Sequence, residues 1–299
     1  MDENRKKPDK DGEAKRLASE NIMKMVFMVA ASASVVSVLL ICIFLFINGF
    51  PAMYEIGIKD FLTGTLWAPG DVPASYGILP MIAGSLAVTT GAILLGVPVG
   101  LLTAVFMSHY CPRKFYGFLK PALELLAGIP SVVYGFFGLM VLVPFIRNIF
   151  GGNGYSILTA SLLLGIMILP TIAGVSEAAL KAVPEQYYEG ALALGATHER
   201  AVFTSVLPAA RSGILASVVL GTGRAVGETM AVIMIAGNQA RMPVSILKGV
   251  RTMTANIVLE MGYAADLHRG ALIATGVVLF IFILAINIIF NMLGRKAAE

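Results

Sequence analysis

Residues 181–211 read KAVPEQYYEGALALGATHERAVFTSVLPAAR. The stretch is long for a connection, yet it is patterned as two helices around a corner. Pro184 suits a first helical position, Glu185 and Gln186 favour a first turn, and Gly195 suits a left-handed stop. Thr197 is placed to cap a second helix that ends before Pro208. Tyr187, Tyr188, Leu192 and Leu194 then lie exposed on a helix-corner-helix suited to a partner's groove. What lies on either side of this polar insert decides the fold, because both flanks are apolar runs long enough to cross a bilayer.

Working outward, windows of about 20 apolar residues predict six spans near 25–49, 78–108, 119–146, 156–180, 213–237 and 270–293. The chain is 57% hydrophobic and only 13% charged, where soluble domains carry about 25% charged residues. The expected class is an all-α membrane protein with a charged leader at 1–24, a six-span domain at 25–294 and a short tail at 295–299. The leader is too polar to bury a core and is expected to be flexible or to lie on lipid. The first apolar run has no small-x-small cleavage site behind it, so it reads as a retained span.

Six spans put both termini on one face. The face that carries the leader, the 181–211 insert and the tail holds fifteen Lys and Arg, against six on the other. The positive-inside rule places both termini in the cytoplasm. The net charge of +4 is thereby accounted for by orientation, which leaves nucleic acid without support as a partner. Cys42 falls inside a span and Cys111 in a basic loop, which gives no disulfide framework and no metal spacing. His109, His198 and His268 all fall outside the predicted spans, and no HExxH or mid-membrane carboxylate pair supports an intramembrane enzyme. An ion-coupled carrier would show inverted repeats, and none is clear here.

Within the second span, Ala87 with Gly91 and Gly96 with Gly100 form small-xxx-small pairs that favour close helix contact in lipid. Pro80, Pro98, Pro121, Pro130, Pro144 and Pro170 fall within or at the ends of spans two to four, where the groups they free need neighbouring helices or a wet cavity. The 50–77 loop reads as irregular, with Trp67 and Tyr76 suited to an interfacial belt. The last loop, 238–269, places Ile246, Leu247, Val250, Met253, Ile257, Val258 and Met261 at helical spacing with Lys248 and Arg251 opposite. That predicts a surface amphipathic helix, either near an anion-attracting mouth or simply solvated.

The fifth span, GILASVVLGTGRAVGETMAVIMIAG, contains Arg224 and Glu228, the only charges between Arg211 and Arg241. Their spacing of four puts both on one helix face, and the cost of charge in lipid turns them towards protein or water. Arg offers two parallel donors to an oxyanion, and Glu228 can pair with it or accept from a protonated oxygen of such an ion. A structural ion pair would satisfy both charges equally well, and one pair does not choose the ion. Glu124 and Glu177 fall near the cytoplasmic ends of spans and read as interfacial.

Glu189, Gly190 and Ala191, followed by Gly195 and then Leu207-Pro208, resemble the "EAA" motif of ABC importer permeases, with Gly190 where the motif usually has Ala. GRAVGETMAVIMIAGN at 223–238, with FLTGTLWAP at 61–69, IPSVVYGFFG at 129–138 and ILPTIAGVSEAAL at 168–180, is similar to the phosphate-specific permeases of that family, in particular the C-type subunit. The resemblance implies a type I six-span fold and transport roles for Arg224 and Glu228. It implies docking of Glu189, Gly190, Ala191, Gly195, Leu207 and Pro208 on an ATPase. It also implies a second, A-type permease, two ATP-binding subunits and an external phosphate-binding protein in a bacterial inner membrane. A permease for sulfate or molybdate is the alternative within the family. The chain has no GxxxxGK[ST] loop, so ATP and Mg²⁺ are expected on the partner ATPase and no cofactor on this chain.

Overall fold

A computed structural model describes residues 10–296, and the side-chain surroundings of residues 20–290 and 292. Residues 1–9 of the leader and 297–299 of the tail lie outside the described residues. Helix α1 runs over Lys10–Ile56, so residues 10–24, expected to be flexible or to lie on lipid, continue the first span as helix. Of the described residues, those up to Asn48 and those from Gly49 onward form separate compact units.

In the second unit α2 (Ile58–Thr63) leads into a two-stranded antiparallel hairpin, β1 (Trp67–Ala68) with β2 (Ser75–Tyr76), in which Trp67 pairs with Tyr76. The 50–77 loop is therefore ordered, contrary to the sequence expectation. Helix α3 (Leu79–Val105) ends in a π-helical turn, Phe106–Tyr110. The expected third span, 119–146, is broken. Helix α4 (Arg113–Gly128) stops at Ile129-Pro130, where the residue before proline is forced out of the helical region. Helix α5 (Ser131–Phe137), a π-helical turn and α6 (Val143–Phe150) then form the apolar crossing.

Helix α7 (Ile157–Lys181) is the buried centre, and its N-cap Ser156 accepts from Thr159 N. The Ile157 and Leu158 amides donate to the carbonyls of Lys248 and Ile246, so the last loop completes the helix start. Then come α8 (Glu185–Ala193), α9 (His198–Ala201), a π-helical turn at Val202–Val206 and α10 (Leu207–Ala209). The fifth crossing comprises α11 (Arg211–Gly227) and α12 (Met230–Ile235), and α13 (Met253–Glu260) and α14 (Asp266–Lys296) follow. Among the described residues five helices are long and apolar enough to cross a membrane. A sixth is counted when His198–Ala209 and Arg211–Gly227, bent by 69°, are taken together.

Small residues set the core. A Cβ on Gly91 would meet the Ser161 side chain, one on Gly96 would lie 2.7 Å from Ile168 Cγ1, and one on Gly100 would lie 2.9 Å from Ile172 Cγ2. The three contacts advance together along α3 and α7, so these helices run parallel at backbone-to-side-chain distance, as the small-residue pairs predict. Helix α11 crosses α7 in the opposite sense, with a Cβ on Gly221 2.9 Å from Ile172 and Ser217 bonded to Ser176 at 2.7 Å. The bundle consequently has two ends. The hairpin, α13 and the start of α14 lie with the beginnings of α3 and α7, and α8–α10 lie with their finishes.

Candidate functional site: a charged break in the fifth crossing

The sequence around Arg224 is poor in helix formers. Gly221, Gly223, Gly227 and the β-branched Val226 and Thr229 all lower helix stability, and α11 stops at Gly227. Glu228 is extended (φ −69°, ψ 128°), so Arg224 and Glu228 do not share one helix face, and no ion pair joins them among the described residues. This corrects the i, i+4 pairing read from spacing. The Glu228 carboxylate instead turns forward and accepts from the Thr229 and Ala231 amides, both at 3.1 Å, capping α12. The Glu228 carbonyl accepts from Thr254 Oγ1 of α13 at 3.2 Å. A backbone interruption at membrane depth is tolerated when its polar groups are satisfied this way.

Arg224 stays half-buried with one polar contact, Nη1 donating to Thr171 Oγ1 of α7 at 3.3 Å. Space opens beside it: a Cβ added at Gly223, Gly227 or, on α7, Gly174 would meet nothing within 4 Å. Opposite, α12 packs tightly on α5, where a Cβ on Gly135 would lie 2.6 Å from Met234 Sδ. Tyr134 Oη donates to the Leu126 carbonyl at 2.8 Å and so fixes the second broken helix at its Pro130 corner. A guanidinium with most of its donors unspent, at a glycine-lined break between two interrupted crossings, is chemically a receptor for a planar or tetrahedral oxyanion.

At the other end, the 181–211 insert forms the predicted corner. Gly195 is left-handed (φ +84°), Ala196 N donates to Ala191 O and Gly195 N to Leu192 O, and Thr197 Oγ1 accepts from Arg200 N. That pair of bonds is a helix stop closed on glycine. Glu189, Gly190 and Gly195 are exposed, Ala191 is half-buried, and Tyr187 and Leu194 project, Leu194 with 92% of its surface free. Two expectations fail here. Tyr188 is packed, its hydroxyl 2.7 Å from His198 Nδ1. The second helix also does not end before Pro208. Proline has no N–H for the preceding turn, and the chain passes through a π-helical turn before α10, which contains Leu207 and Pro208.

Glu177, read as interfacial, is 2% exposed and accepts from Tyr116 Oη (2.7 Å), Lys120 Nζ (2.8 Å) and Lys181 Nζ (2.7 Å). It clamps the otherwise unburied α4 onto α7. The Glu177–Lys181 spacing of four was visible in the sequence, but its partners 57 and 61 residues away were not. The last loop differs most from expectation: helix begins only at Met253, which is fully buried with Ala255 and Asn256. Arg251, expected on a solvated face, bonds to the Asn238 carbonyl, Asn256 Oδ1 and the Glu260 carboxylate. Trp67 is buried against Glu260 rather than facing an interface.

Residues 96–299 match the family described as binding-protein-dependent transport system inner membrane component. The probable ABC transporter permease protein YqgH of Bacillus subtilis is 40% identical over 88% of this chain and 86% of its own length. The phosphate transport system permease protein PstC of Mesorhizobium japonicum is 36% identical over 84% of this chain and 83% of its own. In three dimensions the chain resembles a chain from the crystal structure of a bacterial alginate ABC transporter in complex with an alginate-bound periplasmic protein. That likeness has a TM-score of 0.64 at 15% identity and covers 95% of this chain and 99% of that one. The chain belongs to the binding-protein-dependent transport system inner membrane component family, as a multi-pass permease component of the ABC importer fold.

Proposed function

We propose that this chain is the C-type half of the membrane pathway of an ATP-driven importer of inorganic phosphate, with Arg224 as the ion's contact in the pathway. The observation that carries this is the state of Arg224. It sits at a helix break beside open space, holds one hydroxyl, and has no carboxylate counter-ion among the described residues. Burying an uncompensated charge is costly, and a transported oxyanion compensates it during passage. The similarity to phosphate permeases supports the choice of ion. Glu228 serves the pathway indirectly, by holding the break open as the cap of α12.

The α8–α10 end, with Glu189, Gly190, Ala191 and Gly195 at the corner and Leu207-Pro208 behind it, docks on the ATP-binding subunit. Its exposed Tyr187 and Leu194 support that reading. The working assembly contains a second, A-type permease, two ATP-binding subunits that hold ATP and Mg²⁺, and an extracytoplasmic phosphate-binding protein at the hairpin end. The excess of Lys and Arg summed over the leader, the loops at the α8–α10 end and the tail supports both termini in the cytoplasm of a bacterial inner membrane.

Uptake of radiolabelled phosphate into vesicles carrying the whole complex tests this, comparing wild type with Arg224→Gln and using sulfate and molybdate as competitors. The expected result is phosphate uptake that the substitution abolishes while assembly persists. Normal uptake by the variant returns Arg224 to a structural role, and uptake of a competing anion alone reassigns the substrate.

A further inference from the structure

The polar contacts of Glu260 join four separate pieces of the hairpin end. Its carboxylate, in a residue 6% exposed, accepts from Trp67 Nε1 of β1 at 2.9 Å and from Arg251 Nη1, and lies 2.8 Å from His268 Nε2 of α14. His268 is ringed by Trp67, Tyr76 and Tyr263, with centroids 6.0, 6.4 and 6.0 Å away. Arg251 continues the network through Nε to the carbonyl of Asn238, which stands in left-handed backbone just past α12. A carboxylate with this many charged and polar partners holds its helix in one position, because moving it strands buried groups.

The opposite end of the same helix reaches the site. Met253 N donates to Ser85 Oγ of α3 at 2.9 Å, Thr252 Oγ1 caps Ala255 N, and Thr254 Oγ1 donates to the Glu228 carbonyl at the break. Helix α13 is eight residues long, about 12 Å, and five of the eight are buried. It therefore runs from the surface hairpin to the interruption in the fifth crossing without a flexible joint. Asn238 Oδ1 and Asn256 Nδ2, beside Arg251, are buried without hydrogen-bond partners among the described residues.

We infer that α13 is a strut coupling the hairpin surface to the charged break, with Glu260 and Trp67 as positioning residues that set the geometry of Glu228 from the far end. This rests on the reading of the break as the substrate site and adds how that site is controlled. A protein docking on the hairpin end shifts Trp67, and Glu260 carries the shift along α13 to the Thr254–Glu228 contact.

Hydrogen–deuterium exchange on the assembled complex tests the strut without any substrate. Trp67→Phe keeps the ring against Tyr76 and His268 but deletes the N–H given to Glu260. Exchange at the amides of 228–232 is expected to quicken about fivefold or more, with α8 at the other end unchanged. Glu260→Gln, which withdraws the charge from Arg251 and His268, gives the same pattern. Unchanged exchange at 228–232, or equal quickening at both ends, overturns the inference. In a second arm, saturating phosphate-loaded binding protein stimulates ATP hydrolysis at least about threefold less in Trp67→Phe, with basal hydrolysis and the binding protein's Kd unaltered. A weakened Kd with full stimulation at saturation makes Trp67 a docking contact only and also overturns it. Failure of phosphate to stimulate the wild type would strike the substrate reading alone, because the exchange arm decides the strut independently.

Discussion

Arg224 and Lys120 are both cations in this protein, but of the two only Lys120 has a carboxylate within reach among the described residues. The free guanidinium carries a specific expectation for Arg224→Lys. An ammonium preserves the charge and loses the second parallel donor. A hydrogen bond to a charged group contributes about 1.5–3 kcal/mol, so phosphate uptake should fall about 10- to 100-fold, as initial rates in vesicles would measure. Retained uptake in the lysine variant would mean that charge alone suffices. Glu228 behaves differently. Glu228→Gln keeps an oxygen to accept from Thr229 and Ala231 and should cost little, whereas Glu228→Ala removes the cap at about 0.5–2 kcal/mol and should lower uptake more. The ranking of those two variants separates capping from direct contact with the ion. At this scale the sequence was informative about presence and silent about partnership. A charge inside an apolar run stands out, but the turn of the Glu228 side chain depends on a backbone break that spacing arithmetic assumes away. Glu260 and Trp67 lie 193 residues apart, and no local pattern could have joined them.

The elements divide in the same way. Long apolar runs, the Gly195 stop and the Thr197 cap follow from local chemistry and are legible from residue types. Interruptions are less so: α4 stops at Ile129-Pro130 and α11 at Gly227 because tertiary contacts satisfy the freed groups, namely Tyr134 to Leu126 and Thr254 to Glu228. A hydropathy window averages across both breaks. The parallel contact of α3 with α7 yields a paired prediction. Gly96→Leu drives its side chain into Ile168 and the Gly165 carbonyl, an overpacking that costs about 1–3 kcal/mol and should lower the thermal midpoint of the purified protein. Gly174→Ala, on α7 with nothing within 4 Å, should hold or raise the midpoint, since alanine is favoured over glycine in a helix by about 0.5–1 kcal/mol. Equal losses in both would contradict the packing described. In the insert, Gly190→Ala meets open space, while Gly195→Ala must adopt φ +84°, a conformation that costs a side-chain-bearing residue about 1–2 kcal/mol. Transport coupled to ATP hydrolysis should survive the first change and weaken in the second.

For the whole molecule, the proposed orientation rests on charge and geometry together. The hairpin end and the α8–α10 end are opposite because α3 and α7 run parallel and α11 returns against them. In the proposed topology the leader, the loops at the α8–α10 end and the tail together carry fifteen Lys and Arg against six in the remaining loops, which supports that end facing inward. Two residues report on the two ends with little ambiguity of access: Val72 in the hairpin is 100% exposed and Leu194 at the corner of the insert is 92% exposed. Both native cysteines, Cys42 and Cys111, are half-buried and are first replaced by serine so that each variant carries one thiol. Intact cells, or spheroplasts where an outer membrane intervenes, are then treated with a membrane-impermeant maleimide. Val72→Cys should label at once, and Leu194→Cys should label only after the membrane is permeabilised. The reverse pattern would turn the chain over, placing Arg224 with its approach from the α8–α10 side and leaving the corner of the insert facing away from any source of ATP. Labelling of both without permeabilisation would mean that one of the three crossings between them, α3, α5–α6 or α7, fails to span. The α5–α6 segment is where that failure would be sought, because its 20 residues, Ser131–Phe150, span about 30 Å as helix, no more than the roughly 30 Å of a hydrocarbon core.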